Sequence, residues 1–233
     1  MSDRSLTGKR IAVLVESQYI TSEIATYQER FGSYGAEVDL VSRLWGQPKQ
    51  TFVSEVEVAG RTPDTLEVRI DLEGVDSADY AAVIMAANYT SVRLRWNEAA
   101  ATSDSPAESV REAPAVRFFG HAMQDHDVVK GAPCHGLWLL TPMPELLAGR
   151  RVTCNPVILA DVLSAGATYV PAPTGSNWHT HVVTDDDLVT SMSAVDGGCE
   201  AFVDAVTEAI MRPRAAAMRP SAAAQVAARK DTF

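Results

Sequence analysis

The sequence predicts an α/β fold built on a mostly parallel sheet, and three observations carry that expectation. Short, nearly continuous apolar runs stand at 9–15 (KRIAVLV) and 77–85 (SADYAAVIM), as in strands buried on both faces. Between such runs, apolar residues recur at spacings of three and four, as on helices with one buried face. Runs and helices alternate along the chain, the order that βαβ units require. No internal repeat and no linker divides the 233 residues. One domain over 1–211 is therefore expected, with the Ala-, Arg- and Pro-rich residues 212–233 as a mobile tail.

The first strand at 9–15 is followed by a loop holding Glu16, Ser17 and Gln18. Ile24, Tyr27, Phe31 and Tyr34 then mark one face of a helix. Thr21 or Ser22 is placed to cap its start and Gly35 to end it. AEVDLVS (36–42) alternates as a second strand. FVSEVEV and LEVRI alternate around AGRTPDT, which predicts an exposed hairpin over 52–70. The strand at 77–85 runs into AANYTSVRLRW, at the carboxyl end where α/β folds place their sites.

The small, polar stretch 99–113 reads as a surface loop. Pro114 suits the first turn of a helix whose buried stripe is Val116, Phe119 and Met123. A strand at 128–132 leads into Cys134, and HGLWLL reads as the start of another helix. GRRVTC (149–154) is a strand, and PVILADVLSAGA (156–167) is a helix ending at Gly166. WHTHVV and LVTSM flank TDDD as a hairpin with an acidic, solvated tip, and 200–211 forms the closing helix.

A net charge of -10 and a pI near 4.9 argue against a nucleic-acid surface, which concentrates Lys and Arg. No run approaches the roughly 18 apolar residues of a membrane span. MSDRSLTGKR lacks the apolar core of a signal peptide, so a cytoplasmic protein is expected. Three cysteines without a CxxC point to reduced thiols. Five scattered histidines make no metal cage, so neither metal nor cofactor is expected. His179 and His181 share a face if they lie on a strand, without a third ligand nearby.

The chemistry concentrates at GAPCHGLWLL (131–140), where a strand passes straight into a helix through a cysteine. Such an elbow strains the backbone and projects the side chain above the sheet. Gly131 and Gly136 suit the close approaches it needs. A helix N-terminus beyond Cys134 would lower the thiol pKa. On these residues alone, Cys134 is either an exposed nucleophile or a small buried thiol beside a chance histidine. Glu23, alone, is a first-turn glutamate favoured by the helix dipole. Cys154 and Cys199 read as structural thiols, and Trp138 as a core residue.

GAPCHGLWLL, LLAGRRVT, DVLSAGATYV, DDDLVTS and EAFVDAVTEAI, in that order, resemble the ThiJ/PfpI superfamily, as does EVRIDLEGVDSADYAAVIM upstream. The resemblance implies a glutamine amidotransferase-like, flavodoxin-like three-layer sandwich, with the hairpin at 52–70 added to it and helping to form a homodimer or higher oligomer. It implies Cys134 as nucleophile, and places the family's acid at Glu23, where a protonated carboxyl donates to the thiolate or shuttles a proton. It also pairs the cysteine with His135 as base, as in the peptidase branch. Adjacent helical residues do not face each other, so His135 needs an unusual elbow geometry to reach the sulfur.

Three departures bear on activity. The family's Pro-Gly-Gly turn is replaced by Met85, Ala86, Ala87 and Asn88, whose N–H groups would form a reshaped oxyanion pocket lined by Asn88, Tyr89 or Arg93. Thr90, Ser91 and Val92 stand where the peptidase branch has a carboxylate, which leaves the Cys-His-Glu triad incomplete. The stretch 99–113 is longer than the usual connection. The expected protein is a cofactor-independent hydrolase, hydratase or glyoxalase-type lyase acting on a small carbonyl, amide or isonitrile. The alternatives are a redox sensor or protein-protecting module with an oxidisable low-pKa cysteine, and an amidase or amidotransferase-like enzyme. Glutaminase chemistry is disfavoured because no His-x-Glu follows the cysteine.

Overall fold

The computed structural model describes residues 5–56 and 60–212. In chain order these form β1 (Arg10–Leu14), α1 (Thr21–Ser33), β2 (Glu37–Ser42), β3 (Gln50–Val53), β4 (Thr65–Val68), β5 (Ile70–Asp71) and β6 (Ala82–Met85). There follow α2 (Thr90–Leu94), α3 (Pro106–Arg111), α4 (Pro114–Gln124), β7 (Val129–Pro133), β8 (Arg151–Val152) and α5 (Leu159–Ser164). The last elements are β9 (Thr168–Tyr169), β10 (Val182–Asp185), β11 (Leu188–Ser191) and α6 (Gly198–Met211).

Seven strands make the central sheet in the order β10-β11-β7-β6-β1-β2-β5, parallel throughout except for the β10–β11 pair. The mostly parallel α/β architecture expected from the apolar runs is present, and with it the flavodoxin-like arrangement that the resemblance implies. β1 from Ile11 onward and all of β6 are buried, because helices cover a parallel sheet on both faces. α1 packs on α6 through the Tyr27 and Phe202 rings, 6.1 Å apart, and the Arg30–Asp204 ion pair at 2.8 Å. Gly131 in β7 makes room for α6, since a Cβ there would lie 2.7 Å from Phe202 Cζ. β1, β6 and β7 run parallel, so their carboxyl ends meet at one edge, and Cys134 follows the last of them.

Several local expectations are corrected. Ile20 occupies the N-cap of α1 without a side-chain bond, and the Thr21 hydroxyl donates instead to Asp64 Oδ2 at 2.9 Å. The stretch 99–113 holds α3, with Pro106 in its first turn. HGLWLL forms only a 3₁₀ turn, Gly136–Leu139. His179 lies in another 3₁₀ turn, Trp178–Thr180, and His181 follows it, so neither is on a strand. Asp187 is not part of a solvated tip: it is 2% exposed and bonded to Lys130 Nζ at 2.6 Å and Arg150 Nη2 at 2.7 Å. The first hairpin pairs β3 with β4, Val53 opposite Thr65, and Glu57, Val58 and Ala59 at its turn lie outside the described residues. The expected tail falls outside them too, from residue 213 onward. Among the described residues, no helix is long and apolar enough to cross a membrane.

Candidate active site

β7 delivers Cys134 into a left-handed conformation, φ 54°, a region that L-residues seldom occupy. The strain is held from both sides: the Cys134 N–H donates to Ser191 O at 2.8 Å, and its carbonyl accepts from Asn155 N–H at 3.0 Å. Gly136 allows the turn to close, because a Cβ there would lie 3.3 Å from the Met85 carbonyl and 3.2 Å from Ala132 Cβ. The elbow expected from the sequence is therefore present.

The elbow also provides the geometry His135 needs. Its Nδ1 lies 3.1 Å from the Cys134 sulfur, although the residues are adjacent in sequence. The imidazole is wedged between Tyr89, stacked at 5.4 Å, and Trp138 at 5.7 Å. Burial lowers its pKa, so the ring is neutral. Nε2 is buried and has no hydrogen-bond partner among the described residues. The hydroxyls that replace the triad acid point elsewhere: Ser91 donates to His135 O, and Thr90 to the carbonyls of Ala86 and Ala87. The Cys134 thiol and the His135 imidazole are thus within hydrogen-bond distance of each other.

The thiol pKa is not lowered. Burial pushes Cys134 up to about 11, opposed by N–H donors from Asn88 and His135 and by the Asn155 amide, 3.6 Å from the sulfur. The expected lowering assumed a helix beyond the elbow. Four residues of 3₁₀ turn supply too little aligned dipole to offset the desolvation of a thiolate.

Glu23 is fully buried at the start of α1. It does not bond to the sulfur, as the resemblance implied it would. Instead Oε1 accepts from the Tyr27 hydroxyl at 2.7 Å, and the carboxylate accepts the Ala87 N–H at 2.9 and 3.1 Å. Burial raises its pKa to about 7 despite these donors, and Glu55 adds a further upward push. Its charge is felt at the sulfur, raising the Cys134 pKa. Glu23 is thus held by Tyr27 and Ala87 with its pKa near neutrality.

The expected oxyanion donors are displaced by one residue. The Ala86 N–H is spent on Leu14 O at 3.0 Å and that of Ala87 on Glu23, because β6 pairing and the carboxylate claim them. The next N–H, of Asn88, lowers the thiol pKa against the effect of burial, and Asn88 holds φ 63°. Tyr89 covers His135 as a wall. Arg93 is drawn away: its Nε lies 3.2 Å from Gln18 Oε1 and 3.6 Å from Glu16, beside a cleft of about 380 Å³ with Trp45 and Trp96. Cys154 is buried close enough to feel the Cys134 charge, and burial holds its thiol at about 12. Sequence reasoning missed Tyr27 as a partner of Glu23, although their i, i+4 spacing places them on one helix face. Asn155 and Glu55 had no local signal.

His126, Asp186 and Asp187 bring ligand atoms within 4.8 Å of one another at the β10–β11 turn. Lys130 and Arg150 already neutralise Asp187, so the cluster is a salt-bridge network at the end of the sheet opposite Cys134.

Residues 104–209 match the DJ-1/PfpI family. The matched stretch includes Cys134 and its elbow. Solved structures agree in fold. A two-domain protein from Anabaena variabilis with DJ-1/ThiJ/PfpI-like and ferritin-like domains superimposes with TM-score 0.63 at 20% identity, over 85% of this chain and 47% of that one. This chain therefore spans about half of that relative's length. A ThiJ/PfpI domain protein from Brachyspira murdochii gives 0.60 at 15% identity, covering 88% and 96%. DJ-1beta of Drosophila melanogaster gives 0.58 at 17%, covering 87% and 90%. No curated protein matches the sequence. The ThiJ/PfpI resemblance read from the elbow and its flanking segments is borne out.

Proposed function

We propose that this protein is a cofactor-independent cysteine enzyme that adds water to a small electrophile: a carbonyl, an amide or an isonitrile. The observation that carries the reading is the Cys134 elbow, with His135 Nδ1 at 3.1 Å and the Asn155 amide at 3.6 Å from the sulfur.

The resting pair is a neutral thiol beside a neutral imidazole, so the nucleophile forms as it attacks. The sulfur bonds to the electrophilic carbon while the S–H proton passes to His135 Nδ1. Charge developing on the atom next to that carbon falls among the donors around the sulfur: Asn88 N–H, His135 N–H and the Asn155 amide. His135 then gives its proton to the departing amine of an amide as the C–N bond breaks, leaving a thioester, or to the former isonitrile carbon, leaving a thioimidate. The hemithioacetal of a dicarbonyl becomes a thioester once its C–H proton moves to the neighbouring carbonyl carbon. Water attacks the thioester or thioimidate carbon, sulfur leaves, and the thiol regains a proton. One water is consumed and no oxidant or reductant is needed. Glu23, with its pKa near 7, serves as the reservoir that gives and takes the second proton.

Peptidase chemistry fits less well, because among the described residues no acid orients His135 Nε2. A redox sensor needs a thiolate at neutral pH, and a thiol held at about 11 works against that. A homodimer, expected from the resemblance, belongs to this proposal and is read by light scattering. The function is tested by turnover of a panel of small amides, isonitriles and dicarbonyls. Cys134→Ala should abolish turnover and Glu23→Gln should sharply reduce it, with the circular dichroism unchanged. Full activity in Cys134→Ala would overturn the assignment.

A further inference from the structure

The β3–β4 hairpin reaches the catalytic edge of the sheet. Its first strand is sewn to the loop after β1: Gln18 N–H donates to Val53 O at 2.7 Å and Glu55 N–H to Tyr19 O at 3.0 Å, with a bridge between Tyr19 and Ser54. This brings the Glu55 carboxylate, just past β3, onto the side-chain amide of Asn88. Both amide hydrogens of Asn88 are thereby used, one on Glu55 and one on Gln18 O at 2.8 Å. Asn88 itself is 8% exposed and left-handed at φ 63°. Asn tolerates that conformation better than most residues, yet it remains disfavoured beside glycine. A bond to a carboxylate is among the stronger hydrogen bonds available to hold it. Asn88 directly follows Ala87, which packs against Cys134, and its backbone N–H lowers the pKa of the thiol.

We propose that Glu55 is a positioning residue for the cysteine chemistry: by clamping the Asn88 side chain, it fixes the Asn88 backbone N–H over Cys134. The inference rests on the reading of Cys134 as the reacting atom. It gives the hairpin a role within the site, in addition to any in assembly. The Ser54 hydroxyl accepts the Asp64 N–H at 2.9 Å, so the two arms of the hairpin are tied together directly behind Glu55.

The charged and titratable groups facing Cys134 are Glu23 from α1, His135 on the elbow and Cys154 beyond β8. Glu55 also acts on Glu23 through space, so its removal reaches the sulfur by two routes. The experiment separates them. The full chain is alkylated with iodoacetamide across pH 7–10.5, and the Cys134 peptide is quantified by mass spectrometry. Variants are Glu55→Gln, Glu55→Ala, Asn88→Gly and the Asn88→Gly/Glu55→Ala double.

Losing a hydrogen bond to the thiolate should move the profile up by about one pH unit, so Glu55→Ala and Asn88→Gly should each alkylate about tenfold more slowly at pH 8. Glu55→Gln keeps an acceptor for the Asn88 amide and should stay within about twofold of wild type. The double variant should be no slower than Asn88→Gly alone, because Glu55 works through Asn88. The proposal is overturned if Glu55→Ala costs the same factor in the Asn88→Gly background, if Glu55→Gln is as slow as Glu55→Ala, or if Glu55→Ala changes nothing. Labelling of the buried Cys154 and Cys199 reports unfolding, and Glu55→Leu replaces the alanine variant if that labelling rises. Failure of the underlying reading looks different: Cys134 of the wild type would stay unlabelled at every pH.

Discussion

Replacing Glu23 by glutamine should make the protein more stable and less active, with a stability gain that depends on pH. Glu23 is fully buried, and its pKa stands at about 7 against an ordinary 4.5 because burial disfavours the charged form. A carboxyl raised in the folded state binds more protons folded than unfolded between those values. Its favourable contribution is therefore complete below pH 4.5 and is lost as pH rises to about 7. At about 1.4 kcal/mol per pH unit, that loss amounts to roughly 3 kcal/mol. A glutamine at this position does not titrate, and its amide oxygen can still accept from the Tyr27 hydroxyl and the Ala87 N–H. Urea denaturation of both proteins at pH 4.5, 6 and 8 gives the difference between them, in which other titrations cancel. The difference should grow in favour of Glu23→Gln by roughly 3 kcal/mol from pH 4.5 to 8. A difference that stays flat, or grows the other way, would refute the raised pKa and with it the role of Glu23 as a proton reservoir at neutrality.

Three further outcomes are expected. Alkylation of wild-type Cys134 should keep rising across pH 7–10, since its thiol is held at about 11; a plateau below pH 8 would mean a preformed thiolate. Cys134→Gly should be more stable than Cys134→Ala by about 1 kcal/mol in denaturant titrations, because glycine relieves the left-handed φ of 54° and alanine does not. Lys130→Met strips a fully buried ammonium from Asp187. Breaking such a pair costs about 3 kcal/mol, toward the lower end for buried pairs because Arg150 remains, and the loss is read as a fall in Tm.

The parts of the fold readable from sequence are those fixed by local pattern. Ile24, Tyr27 and Phe31 mark the buried face of α1, Pro114 opens α4, and the apolar runs at β1 and β6 are buried as expected. The cysteine elbow was readable because a strand, a glycine and a second glycine surround one thiol. What failed depended on tertiary contacts. HGLWLL has helical composition, but the chain turns at Leu140 and the segment closes as a 3₁₀ turn. Asp187 looks like a solvated turn residue until Lys130, fifty-seven residues upstream, is brought beneath it. The Ala86 and Ala87 N–H groups carry no sign in the sequence that Leu14 and Glu23 will claim them. The sequence marks Asn88 as a pocket residue, but its bond to Glu55 on a distant hairpin is a pairing set by topology alone.

The most direct test is to treat the protein with small electrophiles (an isonitrile, an activated amide and a dicarbonyl) and to locate the covalent adduct by mass spectrometry. A single adduct on Cys134 is expected, slowed in His135→Ala, absent in Cys134→Ala and never found on the buried Cys154 or Cys199. An adduct that forms equally well in Cys134→Ala, or that sits on another residue, would contradict the assignment of Cys134 as the nucleophile.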